Sequence, residues 1–189
     1  MSQKAHDPWV DVKTRHGIPA DEIISSLQKE IRRGHTENAA LIAYEIATTS
    51  PEMEAYLWKR LLVISVEDIG WGNIQAPVLL NTLYQMVRAL DRQDGERLLY
   101  AIHAVRFLCS CLKDRSSDEM VNWLIRSVED GGILPVIPDY AIDMHTARGQ
   151  KMGRGVRHFL EEGAQLAPEL EGRDKSYQAR WLKLLEDQK

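Results

Sequence analysis

The sequence predicts an all-α fold: an orthogonal or layered bundle of about six core helices, with an irregular, basic and glycine-rich C-terminal extension. Three observations carry this prediction. Apolar residues recur at spacings of three and four in six successive stretches. Several of those stretches open on a capping residue or an acid and close on a base or a glycine. No alternating strand pattern runs longer than the short "ILPVIP".

Each element follows from its residues. The first twenty are polar, contain Pro8 and Pro19 and show no helical period, so they form an arm with Trp9 as candidate anchor. In "ADEIISSLQKEIRRG", Ile23, Ile24, Leu27 and Ile31 make an apolar stripe; Asp21 and Glu22 start the helix, and Arg32, Arg33 and Gly34 end it. The second helix, "TENAALIAYEIATTS", takes Thr36 as N-cap and turns Ala39, Ala43, Ile46 and Ala47 inward, small residues that allow close approach to a neighbour. Ser50 as cap and Pro51 at the first helical position open the third, whose stripe is Met53, Leu57, Leu61 and Ile64. After "GWGN" a fourth helix carries Leu79, Leu83, Met86, Val87 and Leu90. Asp94 opens the fifth, with Leu98, Ala101, Ile102, Val105, Leu108, Cys109 and Leu112 in register, and Ser117 opens the sixth, which Gly131 and Gly132 stop. Past Pro138 come short pieces broken by glycine, then a final helix using Tyr177, Trp181 and Leu184 or Leu185. The organisation expected is thus an arm at 1–20, a helical core at 21–132 and an extension at 133–189.

Composition narrows the function classes. A chain of 189 residues can bury its own core. No run approaches the roughly eighteen apolar residues that cross a bilayer, and the N-terminus lacks a signal-peptide core, so no membrane partner is expected. Cys109 and Cys111 fit neither a disulfide framework nor a four-ligand zinc site, and read as reduced thiols of a cytoplasmic protein. A net charge of −4 argues against a general nucleic-acid coat, so any such contact must be a local patch.

Glu67 and Asp68, in "EDIG", point about 100° apart on a helix and do not converge on one bond as an acid/base pair. They read as a structural helix end that needs a compensating cation such as Arg60, with Gly70 as the stop. His6, His16, His35, His103, His145 and His158 show no metal-ligand spacing, and His103 reads as a core-edge residue. Asp143, His145 and His158, with Glu161 or Glu162, make the one alternative constellation, a small metal-assisted hydrolase. Apart from it, no catalytic residue, metal or cofactor is expected. The cysteines lack a positioned base and read as filler.

The segment "DMHTARGQKMGRG" stands out against the acidic background. It holds His145, Arg148, Lys151 and Arg154, spaced by Gly149, Gly153 and Gly155, with Arg157 and His158 just beyond it. Glycines expose backbone N–H groups, and arginine forks match phosphate or carboxylate oxygens. The segment either contacts an anion, such as a phosphate backbone or an acidic partner, or it is a strap pinned to the chain's own acidic stretches. No aromatic residues interleave with the cations, so base stacking is not indicated.

The stretch from "IISSLQKEIRRG" to "ISVEDIG" resembles the helical region that follows the ATPase module in the replication-associated recombination protein A and maintenance-of-genome-stability family, AAA+ ATPases akin to clamp loaders. Leu27, Lys29, Arg32, Arg33, Gly34, Ala39 and Ala40, then Glu67, Asp68, Ile69 and Gly70, fall in the family's order, and the likeness spans about residues 20–130. The 189 residues contain no "GxxxxGK[ST]" phosphate loop, so the family's ATPase activity does not carry over. What the resemblance implies is a non-catalytic helical interaction module in DNA replication, recombination and repair. It also implies a homo-oligomer, a tetramer by family resemblance, with DNA, a single-stranded-DNA-binding protein or a separately encoded AAA+ ATPase as partner.

Overall fold

The six periodic stretches are helices in the computed structural model, which describes residues 9–186: α1 (Ala20–Arg33), α2 (Thr36–Thr49), α3 (Pro51–Ile64), α4 (Ala76–Arg88), α5 (Glu96–Ser110) and α6 (Ser116–Glu129). The fold is all-α: no strand occurs among the described residues, only an isolated bridge between Lys13 and Pro19. The chain divides into two compact units, Met1–Gly131 and Gly132–Lys189. The first eight residues of the expected arm, His6 and Pro8 among them, lie outside the described residues.

Local chemistry sets the boundaries. Gly34, at φ +74°, ends α1 in a left-handed turn, where the Gly34 and His35 amides donate to Ile31 and Glu30 carbonyls. That turn is tight enough for α2 to begin on Thr36 itself; the Thr36 hydroxyl donates to the Gly34 carbonyl and does not act as N-cap. Ser50 does cap α3, accepting from the Met53 amide at 3.2 Å. Asp114, not Ser117, opens α6: its carboxylate accepts from the Ser116 amide at 2.9 Å and from the Ser116 hydroxyl.

α2 is the axis of the first unit and packs on α1, α3 and α5. Ala39 and Ala43, fully buried, let those neighbours approach, and Leu27, Ile31, Ile46, Leu57, Trp58, Leu61, Val105 and Leu108 close the core around them. The buried face of α4 is rotated from the expected stripe. It consists of Ala76, Leu80, Leu83 and Val87, leaving Met86 46% exposed, because the adjacent leucines at 79 and 80 satisfy the helical period in either register. Leu112 follows the end of α5 and is exposed, as is His103 on the outer face of that helix. α6, expected in the core, contains no buried residue.

Residues 9–19 lie against α2 and α3. The Trp9 ring packs on Tyr56 with centroids 4.9 Å apart, and the Arg15 guanidinium sits over the Tyr44 ring. Glu45, largely buried, is the anchor: its carboxylate accepts from the His16 amide at 3.2 Å, lies 2.7 Å from His16 Nδ1 and receives Arg15 Nε. Burial pushes the Glu45 carboxyl up, but hydrogen bonds from Thr14 and His16 outweigh it and hold the pKa at about 2. Since the folded value lies below the ordinary 4.5, this contribution is complete above pH 4.5 and is lost as pH falls from there towards 2. Glu45→Gln is therefore expected to lower stability by about 2 kcal/mol at pH 7 and to make the acid-dependent loss between pH 4.5 and 2.5 shallower by a similar amount. Thermal unfolding of both proteins across that range checks it; parallel pH profiles would refute it.

In the second unit, residues 132–138 are irregular, and Asp139–Ala141 form a 3₁₀ turn. α7 (Ala147–Lys151) and α8 (Val156–His158) follow, the latter running into a π turn at Phe159–Gly163. The unit ends on α9 (Ser176–Glu186), whose Tyr177 and Leu184 are mostly exposed. Its small core is built on Ile142 and Leu160.

Candidate functional site

Glu67, Asp68 and Ile69 of "EDIG" sit in a π turn, Ser65–Ile69, at the end of α3, and Gly70 begins the 3₁₀ turn Gly70–Gly72 that follows. Asp68 is completely buried. One of its oxygens receives Arg32 Nε and Arg115 Nη1, the latter at 2.7 Å, and the other accepts from Gln28 Nε2 at 2.8 Å. Glu67 faces the same cations, 3.2 Å from Arg115, 3.6 Å from Arg32 and 3.7 Å from Arg60. The two carboxylates thus share arginines from α1 and from the 111–115 loop, and Arg115 also reaches Asp118 on α6. A cluster of arginines occupied by carboxylates in this way is a clamp that joins α1, the π turn and the start of α6. Gly70 does more than stop a helix. It adopts φ +48°, and a Cβ there would lie 2.5 Å from the Asp114 carbonyl oxygen; at Gly72 one would lie 2.4 Å from that of Leu112. The bare backbone lets residues 70–72 press against 112–114, and the Asp114 amide donates to the Asp68 carbonyl.

The basic segment of the second unit is built around Asp143. Its buried carboxylate accepts from the His145 amide at 2.9 Å and lies 3.1 Å from His145 Nδ1, while its carbonyl accepts from the Thr146 amide and hydroxyl. Thr146 then caps α7, accepting from the Gly149 amide at 3.0 Å. The His145 ring meets Phe159 edge-on, with centroids 5.0 Å apart. Hydrogen bonds from His145, first through its amide and then its ring, hold the Asp143 carboxyl below its usual range.

The structure sorts the cations into two kinds. Arg154 folds inward: its guanidinium donates to the carbonyls of Asp139 and Ile142 and to the Asp139 carboxylate at 2.6 Å, which keeps that carboxyl below its ordinary value. Arg157 pairs with Glu161 at 3.0 Å and Glu186 at 3.3 Å, tying the π turn to α9. Arg148 and Lys151, three residues apart on α7, are exposed, and no carboxylate among the described residues pairs with either. His158 is half-buried, and its Nδ1 has no hydrogen-bond partner.

Asp143 and His145 meet, but no third ligand joins them: among the described residues no group of three His, Cys, Asp or Glu side chains stands as a metal set. A metal-assisted hydrolase therefore has no geometric support at Asp143, His145 and His158. Cys109 is buried, and burial raises its thiol pKa; Cys111 lies apart from it and receives Asn73 Nδ2 at 3.5 Å. Sequence reasoning missed Arg32, Gln28 and Arg115 as the partners of Asp68, because pairs about forty residues apart leave no periodic trace. No helix among the described residues is long and apolar enough to cross a membrane.

Residues 34–165 match the family described as MgsA AAA+ ATPase C terminal. Over 136 residues the chain is 32% identical to the replication-associated recombination protein A of Bacillus subtilis (strain 168), an alignment covering 71% of this chain and 31% of that protein. The matched span runs from the end of α1 through the buried carboxylates and α6 to the end of the π turn.

Proposed function

The chain belongs to the MgsA AAA+ ATPase C-terminal family, and on that footing we propose that it is a non-catalytic helical module serving DNA replication, recombination or repair, which associates with copies of itself and holds an acidic partner through Arg148 and Lys151. The observation carrying the contact is the contrast within one short segment: Arg154 and Arg157 are already occupied, while Arg148 and Lys151 stand side by side, open to solvent, on a helix pinned by Asp143 and Thr146. An acidic protein segment, such as the tail of a single-stranded-DNA-binding protein, suits this pair better than a DNA backbone. Proteins that hold DNA electrostatically neutralise on the order of six to ten phosphates, and two cations on an acidic chain supply far less. Arginine with a neighbouring lysine suits two adjacent carboxylates.

Fluorescence anisotropy with an aspartate-rich peptide, and separately with single- and double-stranded DNA, tests the reading. Arg148→Glu with Lys151→Glu is expected to weaken peptide binding about tenfold or more, whereas Arg157→Glu leaves it within about twofold. Peptide binding unchanged in the double variant would refute the contact. DNA binding tighter than peptide binding, with a steep salt slope, would make phosphate the target instead.

A further inference from the structure

α6 is the most apolar exposed element of the first unit. Met120, Val121, Trp123, Leu124, Ile125 and Val128 are each 40–60% exposed along its 14 residues. One side of it turns towards its own unit: Asp118 reaches Arg115, and Val121 lines a groove of about 590 Å³ with Leu62, Val63 and Val66. At about 100° per residue, Leu124 and Met120 lie about 60° and about 100° from Val121 and Trp123 about 160° from it, so the three make a stripe directed outward. Such a stripe on a helix that contributes nothing to its own core is a docking face.

Charge identifies what covers it. Glu119 and Arg126, seven residues apart, share one flank of the stripe beside Trp123, and neither has an ion-pair partner among the described residues. They are roughly 10 Å apart along the axis, too far to pair with each other. In an antiparallel pair of such helices, each would meet its opposite from the other copy.

We propose that two copies of this chain pack their α6 helices antiparallel across a two-fold axis beside Asn122 and Trp123, with Glu119 of each copy facing Arg126 of the other. The apolar stripe then covers itself, and both unpaired charges are matched by one operation, as a self-complementary interface requires. This rests on the self-association reading and names its surface.

The test is the mass of the full 189-residue chain by sedimentation over a wide concentration range. The intact chain is expected to associate above its 21.6 kDa monomer. Trp123→Glu should raise the dissociation constant about thirtyfold or more, as loss of a central aromatic anchor does. Glu119→Arg or Arg126→Glu alone sets like charges together twice and should weaken association about fivefold. Glu119→Arg combined with Arg126→Glu in one chain restores both pairs and should return to within about twofold of the intact protein. Since α6 contains no buried residue, circular dichroism should show these variants folded. Association that survives Trp123→Glu overturns the seam and leaves self-association standing. A double variant as weak as the singles overturns the antiparallel register. An intact chain that stays monomeric throughout removes the self-association reading itself.

Discussion

Asp68→Ala is expected to destabilise the first unit by about 3–5 kcal/mol, the size associated with removing one partner from a buried ion pair. The loss is large because the carboxylate is fully buried and two guanidiniums and an amide converge on it. Without it, Arg32 and Arg115 face each other with Glu67 alone between them, at 3.6 and 3.2 Å, and Gln28 Nε2 loses its acceptor. Glu67→Ala should cost much less, about 1 kcal/mol, because Glu67 is partly exposed and its contacts are longer. Thermal unfolding should show a fall on the order of 10 °C or more for Asp68→Ala and a few degrees for Glu67→Ala. Equal shifts would mean that the clamp is no more than surface pairing. A second readout follows from Arg115, which joins Asp68 to Asp118 at the start of α6. Amide exchange along α6 should accelerate in Asp68→Ala ahead of α2 and α3, whose buried side chains do not depend on that link.

The parts of this molecule legible in its sequence are those determined within one turn of chain. Gly34 after two arginines, Ser50 before Pro51 and the stripe of α3 each carry their own start, stop or buried face, and the structure shows them in those roles. Where two readings share one period, the sequence could not choose. The leucines at 79 and 80 allow two registers, and packing against α5 selected the second. The limit is sharper for α6. Its apolar face is plain in the sequence, but the same face serves an internal core or an external partner, and only its place at the edge of the unit distinguishes the two. Charges behave likewise. That cations gather after Asp143 is visible at once; which of them are consumed by Asp139, Glu161 and Glu186 depends on how short, glycine-broken pieces fold back, and no periodicity encodes it. Asp68 is the extreme case, since its cations come from residues 32 and 115 and the motif itself shows only the carboxylate.

Gly149→Ala should unfold the basic segment while sparing the helical unit before it. A Cβ at that position would lie 1.9 Å from the Asp143 carbonyl oxygen and 2.5 Å from its carbonyl carbon, a collision with backbone that no rotamer relieves. To admit it, α7 must leave Asp143, which breaks the Thr146 hydroxyl's bond to the Gly149 amide and the Arg154 amide's bond to the Gly149 carbonyl together. A local cost of about 3 kcal/mol or more follows from the clash and the lost cap combined. Two neighbouring glycines are internal controls. Gly153 has open space around its missing side chain but sits at φ +71°, so Gly153→Ala should cost only about 1 kcal/mol. Gly155 has open space and an ordinary negative φ of −103°, so alanine there should be neutral or slightly stabilising. Amide exchange at Gly149, Met152 and Arg154 is the measurement: protection is lost in Gly149→Ala, reduced in Gly153→Ala and retained in Gly155→Ala. Binding should follow the same order, because Arg148 and Lys151 make a pair only while α7 is wound. If Gly149→Ala lost protection and still bound the acidic peptide as the intact chain does, a disordered cationic stretch would suffice, and the arrangement of Asp143, Thr146 and Gly149 would need another purpose.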